Sequence, residues 1–163
     1  AVARFNKPYG KDAAPYLYER AGAKTAVKDF RGAVADYNDF YDAMMGQVSA
    51  EFYLIRTQAE MQCRMFQQAV DDIDRAIRME PKEPLYHAER AVVYYRIGEF
   101  AEALSSAKKS AELNPEFGDA YRLMGICQLK LNRREEGLAH LKKAAELGDE
   151  SAQAILTEEE TKQ

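Results

Sequence analysis

The sequence predicts an all-α fold of four helix-turn-helix repeats followed by a C-terminal capping helix. Three observations carry this prediction. Similar residues recur at intervals of 34 positions, apolar residues inside each unit are spaced three and four apart, and proline, glycine or asparagine stands where helices should end. Self-similarity at a fixed period of this length is typical of stacked helical repeats, because a single helix pair cannot bury its apolar face alone.

The period is clearest at the ends of the second helices. Pro81 and Pro115 are 34 residues apart, and a similar short phrase precedes each of them. A matching phrase ends at Gly148, where no proline follows. Further upstream in each unit an aromatic or long residue comes three positions before a small one, at Phe30–Ala33, Phe66–Ala69, Phe100–Ala103 and Arg134–Gly137.

Each unit is predicted to contain two helices joined by a short polar turn. Residues such as Tyr121 and Met124 follow helical spacing in a first helix, and Leu138 and Leu141 do so in the second. Gly98, in the third turn, is expected to adopt the left-handed conformation that ends a helix. Proline disfavours helical geometry in the residue before it, so Pro81 and Pro115 should follow helix ends.

On these residues the chain resembles the tetratricopeptide repeat family, whose pattern of small, aromatic and proline positions the third unit matches well. The matching residues are Ala91, Tyr94, Gly98, Phe100, Ala103, Leu113 and Pro115. The resemblance implies a right-handed α-α superhelix. It places an N-terminal arm, four repeats and a capping helix with an acidic tail at 1–13, 14–47, 50–83, 84–117, 118–151 and 152–163.

Small residues are expected where the two helices of a repeat cross. They are Ala21, Thr57, Ala91 and Gly125 on the first helices, and Ala33, Ala69, Ala103 and Gly137 on the second. The arm, with Phe5, Pro8 and Gly10, is predicted to be flexible or loosely docked. Residues 149–161 are predicted to form the capping helix, with Ala152, Ile155 and Leu156 on its packed side.

The composition excludes several function classes. The chain has 163 residues, of which 47% are hydrophobic and 31% charged, as in a folded domain. A net charge of −4 does not favour a nucleic-acid interface. No apolar run approaches the roughly 18–20 residues that cross a membrane. The two cysteines do not form a disulfide framework. We therefore expect a protein or peptide partner, without nucleic acid or membrane insertion.

The compartment is left open by the sequence. The chain begins at Ala1 without an initiator methionine, which either a cleaved signal peptide or a truncation would explain. The missing disulfide framework fits the cytoplasm, but exported helical proteins also lack disulfides. The location is therefore unknown: it could be cytoplasmic, or periplasmic if a signal peptide has been removed.

No catalytic, cofactor or metal motif is present, so we predict a protein that is not an enzyme. The two histidines, His87 and His140, are 53 residues apart and lack companions at metal-ligand spacing. Cys127 is expected in the core and Cys63 near a helix end. Catalysis by Cys127 with His140 is the alternative that their shared repeat leaves open. The acidic run 71–74 is expected to be a solvated face with local ion pairs.

The family resemblance implies that first helices line a concave groove that binds peptides. The positions that face this groove in the family correspond to Tyr18, Leu54, Gln58, Met61, Val92, Tyr95, Arg96, Arg122, Ile126 and Lys130. This stripe is apolar with a polar rim, a composition typical of interaction sites. The alternatives are that these residues pack against the next repeat, or that the capping helix or a second copy of the chain fills the groove.

Some relatives in this family hold chaperone C-terminal carboxylates with a clamp of lysine, asparagine and arginine. Placed on repeats one to three, the clamp columns fall on Tyr18, Gly22, Ile55, Leu85 and Glu89. Placed on repeats two to four, they fall on Leu54, Gln58, Glu89, Asp119 and Leu123. Neither placement supplies the cations, so this mode of binding is not expected.

Overall fold

The first helix of each repeat begins at the first residue of the predicted repeat. The structure is a computed structural model that describes residues 10–161; the predicted arm residues Phe5 and Pro8 lie outside this range. Residues 10–161 form a short 3-10 helix at Lys11–Ala13 and nine α-helices, with no strand among them. The α-helices are α1 (Ala14–Ala26), α2 (Phe30–Ala43), α3 (Ala50–Gln62), α4 (Phe66–Met79), α5 (Pro84–Ile97), α6 (Phe100–Leu113), α7 (Gly118–Lys130), α8 (Arg134–Glu146) and α9 (Glu150–Thr161).

Local chemistry explains where several helices start. The Ser49 hydroxyl accepts a hydrogen bond from the Phe52 amide at 3.2 Å and caps α3. The Asp29 carboxylate does the same for α2, accepting from the Gly32 amide at 3.0 Å. Helix α5 starts with Pro84, which has no amide proton to leave unsatisfied in the first turn.

The turns inside the repeats end their first helices in the left-handed conformation. Gly98 follows α5 with φ 98°, as predicted. The equivalent positions after α1, α3 and α7 are Lys28, Arg64 and Asn132, with φ of 63°, 59° and 59°. A side chain costs about 1–2 kcal/mol in this region, so two cations occupy positions where glycine would be less strained.

The chain divides into two compact units, with the boundary inside α4 between Asp72 and Ile73. Unit 1 is centred on α1, α2, α3 and the first part of α4. Leu17 and the crossing residues Ala21 and Ala33 are fully buried there. Six aromatic rings make a continuous set of contacts, with centroids 5.2–6.3 Å apart, through Tyr18, Tyr37, Phe40, Tyr41, Phe52 and Tyr53.

Unit 2 runs from Ile73 and contains α5 to α9, each packed against the next. Gly125 and Gly137 face each other where α7 crosses α8: a Cβ on either would lie 2.9 Å from the other's carbonyl oxygen. Helix α9 buries Ala152 and Leu156 against Leu141 and Ala144 of α8, which confirms the predicted capping helix.

Ion pairs join the first and second helices of the repeats in unit 1, and the pair in the second repeat is buried. Arg56 binds Asp72 through Nε–Oδ2 at 2.5 Å and Nη2–Oδ1 at 2.9 Å. Arg20 binds Asp36 at 2.8 and 2.7 Å with the same spacing of 16 residues. The expectation of a solvated acidic face was therefore wrong at Asp72, which is 3% exposed, because Arg56 of the preceding helix neutralises it.

Candidate functional site

One cavity in unit 2 collects predicted groove residues from two successive first helices. We call this cavity of about 520 Å³ the C-terminal pocket. Tyr95 comes from α5, and Ile126 and Lys130 come from α7. The complete lining is Tyr95, Ile126, Leu129, Lys130, Asn132, Arg134, Ile155, Glu158 and Glu159.

The lining divides into an apolar part and a charged rim. Tyr95 and Ile126 are half-buried and pack against the core between α5, α6 and α7. Tyr95 is held in place by Phe100, with ring centroids 5.5 Å apart. Ile155 of the capping helix supplies a further apolar wall. An apolar floor of this kind accommodates an aliphatic or aromatic group of a ligand.

The cations at the rim differ in their availability. Arg134 forms an ion pair with the Glu159 carboxylate and also donates to the Glu159 carbonyl oxygen at 2.9 Å. Lys130 is exposed and forms no ion pair with any residue in 10–161. Lys130 is thus the cation of this pocket that can meet an anionic group without displacing a partner.

Arg122 is already committed to two carboxylates. Its Nε lies 2.7 Å from Asp149 and its Nη2 lies 2.5 Å from Asp119. Burial lowers the pKa of Arg122, but the hydrogen bonds that Arg122 donates to Asp119 and Asp149 outweigh this and raise it. Arg122 therefore ties α7 to the start of the capping helix, and an acidic ligand would have to compete for it.

Two predicted groove residues are corrected by the structure. Leu54 is 8% exposed and Met61 is 3% exposed, so neither offers the surface expected of a binding anchor. Both lie on α3, where nine of thirteen residues are buried and the helix has no clean polar face. Of the other predicted residues, Gln58 and Arg96 are exposed and Val92 is half-buried against the core of unit 2.

The remaining predicted residue, Tyr18, lines a separate cavity in unit 1 of about 440 Å³. We call this the N-terminal pocket; it is lined by Lys11, Ala14, Pro15, Tyr18, Phe40, Met44, Gln47, Val48, Ser49 and Phe52. Burial raises the pKa of the Tyr18 hydroxyl, and Tyr37 and Glu51 act in the same direction. The phenol therefore stays neutral, and the pocket presents mainly apolar surface.

The thiols and histidines lack the arrangement of a nucleophile and its base. Burial raises the pKa of the Cys127 thiol to about 11. His140 Nδ1 lies 2.7 Å from the Gln128 side-chain oxygen and 3.0 Å from the Glu136 carbonyl. Within residues 10–161 no group of three or more histidine, cysteine or acidic side chains could hold a metal ion. No helix in this range is long and apolar enough to cross a membrane.

A family model for the tetratricopeptide repeat matches residues 84–117, which are the bounds predicted for the third repeat. The chain contains a tetratricopeptide repeat. Its third repeat comprises α5 and α6, so Tyr95 of the C-terminal pocket lies in the matched segment. The predicted family is confirmed, and four repeats are consistent with the nine helices of residues 10–161.

The relatives of this repeat chain are longer proteins. A protein SGT1 homolog from Bos taurus is 31% identical over 87 residues, which is 53% of this chain and 26% of the relative. The chain therefore spans about a quarter of that relative's length.

Solved structures confirm the all-α repeat fold. YrrB, described as a TPR protein with an unusual peptide-binding site, has a TM-score of 0.77 at 18% identity, covering 90% of this chain and 75% of YrrB. The first TPR of RPAP3, bound to HSP90 peptide SRMEEVD, has a TM-score of 0.64 at 22% identity, covering 68% and 89%. These likenesses show the fold.

Sequence reasoning missed several residues that line the two pockets. Asn132 and Arg134 lie in and after the turn that follows α7, outside the first-helix columns used for the prediction. Phe40 and Phe52 line the N-terminal pocket from α2 and α3. The unusual density of aromatic residues between 37 and 53 was the available signal for that pocket.

Proposed function

We propose that this chain is a non-catalytic scaffold that binds a protein or peptide segment in the concave groove of its tetratricopeptide superhelix. The observation that carries the proposal is the C-terminal pocket. There Tyr95, Ile126 and Lys130, predicted from the family's groove columns, line one cavity with an apolar floor and an unpaired cation.

The pocket supports a ligand with an apolar side chain beside an acidic group. The apolar group would rest against Tyr95, Ile126 and Ile155, and the carboxylate would meet Lys130. Because Lys130 is exposed, the charge contact should contribute mainly to specificity and association rate. Arg96 is exposed on the same helix as Tyr95 and offers a second cation for such a ligand.

The ligand we propose differs from a chaperone tail held by a carboxylate clamp. The RPAP3 domain holds the HSP90 peptide SRMEEVD. In this chain the corresponding clamp columns carry residues such as Leu54 and Leu123, which are 8% and 3% exposed and carry no charge. An internal segment of a partner fits this surface better than a free C-terminal carboxylate.

The absence of catalysis is part of this proposal. A thiol nucleophile needs a lowered pKa and a base within hydrogen-bond reach. Burial raises the pKa of the Cys127 thiol instead, and the hydrogen bonds of His140 go to α7 and α8 groups other than this thiol. Both observations argue against a thiol nucleophile at Cys127.

The test is selection of binders from a random peptide library, followed by affinity measurements with purified variants. Tyr95→Ala should weaken the best peptide by about 1–3 kcal/mol, the range for interface anchors. Lys130→Glu should weaken acidic peptides selectively, and Lys142→Glu on the exposed face of α8 is the matched control. SRMEEVD serves as the reference peptide and should bind no better than a scrambled version. Equal affinities for all variants would remove the C-terminal pocket from the site.

Self-association is the second candidate, and exposed apolar side chains favour it. Val27 is 76% exposed, Met45 is 73% exposed and Tyr16 is 60% exposed, all in unit 1. Isolated apolar residues are common on surfaces, so the decisive quantity is the mass in solution. A mass that rises with concentration, and that Val27→Ser with Met45→Ser returns to the monomer value, would favour self-association.

A further inference from the structure

A second cavity of unit 1 lies where the turn after α1 and the turn after α3 come together. It has a volume of about 390 Å³, and three cations line it: Lys28 and Arg64 from these turns, and Arg31 from the start of α2. It shares no lining residue with either pocket described above. We call it the basic turn cavity.

The positive charge of this cavity is not neutralised inside the chain. Lys28, Arg31 and Arg64 form no ion pair with any residue of the described range 10–161. The one acidic residue in the lining, Asp29, uses its carboxylate to accept the Gly32 amide at 3.0 Å as the cap of α2. The lining keeps a net charge of +2, and its cations repel one another until an anion binds between them.

We propose that the basic turn cavity binds a phosphate group. Two guanidinium groups offer paired donors that match phosphate oxygens, and a lysine adds a point charge. A phosphate carries about −1.5 to −2 charges and three acceptor oxygens, so it can engage all three cations, whereas a carboxylate has two oxygens. Lys28 and Arg64 stand at left-handed turn positions where the third repeat has Gly98, so the cations replace the residue that such a turn prefers.

A phosphate group could come from a phosphorylated side chain of a partner or from a free phosphate compound. The two sources share the same chemistry at the three cations, and they differ in size and in flanking contacts. A phosphoserine peptide and inorganic pyrophosphate therefore serve as the two probes, with unphosphorylated and glutamate versions of the peptide as references.

The cavity contains its own reporter, the Cys63 thiol. Cys63 is half-buried in the lining, whereas Cys127 is fully buried in unit 2. A neutral alkylating reagent such as iodoacetamide should therefore label Cys63 first in the folded chain. A phosphate seated among the three cations should slow that labelling, and this readout does not depend on the groove or its ligand.

The experiment combines calorimetric titration at low ionic strength with the Cys63 labelling rate. We expect at least one phosphate probe to bind and to protect Cys63. Replacing Arg31 and Arg64 by glutamine should weaken binding by about tenfold per arginine. The matched control replaces Lys142 and Lys143, two exposed cations of α8, by glutamine and should bind as the wild type does.

Each outcome has a defined meaning. Tighter binding of the phosphopeptide identifies a phosphorylated partner, and binding of pyrophosphate alone identifies a free phosphate compound; both support the proposal. Equal binding of the glutamate peptide, equal losses in the two double variants, or no binding of either probe would overturn it. Circular dichroism of the arginine variant checks its folding, which should be intact because both arginines are exposed.

Discussion

Arg56 and Asp72 form a two-point ion pair inside the second repeat, at 2.5 and 2.9 Å, with side chains that are 7% and 4% exposed. The Arg56 guanidinium also lies 4.9 Å from the centre of the Tyr41 ring and 5.0 Å from that of Phe52. The pair joins α3 to α4 and seats a charge within the aromatic cluster of unit 1. A buried charge is tolerated in such a place only while its partner is present.

The first prediction concerns this pair. Asp72→Asn removes the carboxylate and leaves the buried Arg56 with only the more distant Glu60 carboxylate, at 3.9 Å, so the free energy of unfolding should fall by about 3 kcal/mol. Urea denaturation followed by helical circular dichroism measures the change. Asp71→Asn, one position away and exposed, is the control and should change stability by less than about 0.5 kcal/mol. Equal effects of the two substitutions would contradict a structural role for the pair.

The second prediction is the response to acid at Asp36. Burial raises the pKa of Asp36, but hydrogen bonds from Arg20 and Lys24 outweigh it and hold the pKa below the ordinary 3.8. The unfolded chain therefore takes up this proton first as the pH falls. The stabilisation is complete above about pH 5 and is lost as the pH falls through 3.8 and below.

Urea midpoints measured from about pH 5 to pH 2 should decline less steeply in Asp36→Asn than in the wild type, because the variant has no carboxylate to protonate at this position. A variant that declines as steeply as the wild type would show that other groups dominate the acid response.

The third prediction tests the crossing of α7 and α8. A Cβ on Gly125 would lie 2.6 Å from Leu141 Cγ and 2.9 Å from the Gly137 carbonyl oxygen. Gly125→Ala should therefore destabilise the chain by about 1–3 kcal/mol, although alanine favours helix. Gly22→Ala is the matched control: it also lies within a helix, its Cβ meets nothing within 4 Å, and it should stabilise by about 0.5–1 kcal/mol. A neutral Gly125→Ala would mean that the helices can separate there at little cost.

The fourth prediction compares the two thiols. Burial raises the pKa of Cys127 to about 11, and its side chain is fully buried, so it should resist alkylation in the folded chain. Burial raises the pKa of Cys63 too, Arg31 opposes this, and Glu60 and Asp29 add to it, but Cys63 is partly exposed and should react first. Mass spectrometry after timed iodoacetamide treatment separates the two sites. If Cys127 were labelled at the rate of a denatured sample, its thiol would be accessible, which would contradict its burial and favour the alternative of catalysis by Cys127.

The parts of the fold set by local periodicity could be predicted from the sequence. The repeat starts at Ala14, Ala50, Pro84 and Gly118 are all helix starts in the structure. The small residues expected at the helix crossings are buried, from Ala21 in the first repeat to Gly137 in the fourth. Period, turn residues and side-chain size are local properties, and a single sequence displays them directly.

Features that depend on contacts between distant positions could not be predicted in the same way. The pairing of Arg56 with Asp72 spans 16 residues. Ion pairs within one helix join residues three or four apart, so the sequence predicted partners for Asp72 on its own helix. The sequence also did not predict the burial of Leu54 and Met61. Column positions carried over from a family do not report how completely each side chain is covered. Three pocket residues from those columns, Tyr95, Ile126 and Lys130, do share one cavity.

The aromatic cluster of unit 1 gives the protein an optical asymmetry. The chain has no tryptophan, so its near-ultraviolet circular dichroism comes from tyrosine and phenylalanine. Tyr18 with Tyr37 and Tyr41 with Tyr53 are close enough, at 5.9 and 6.3 Å, for their transitions to couple. Six of the ten tyrosines lie in residues 1–72 and four in residues 73–163, so the near-ultraviolet band is weighted towards the N-terminal half, while the amide band follows every helix. Recorded together during unfolding, the two bands distinguish a chain that melts as one body from one whose halves melt in turn, without any label.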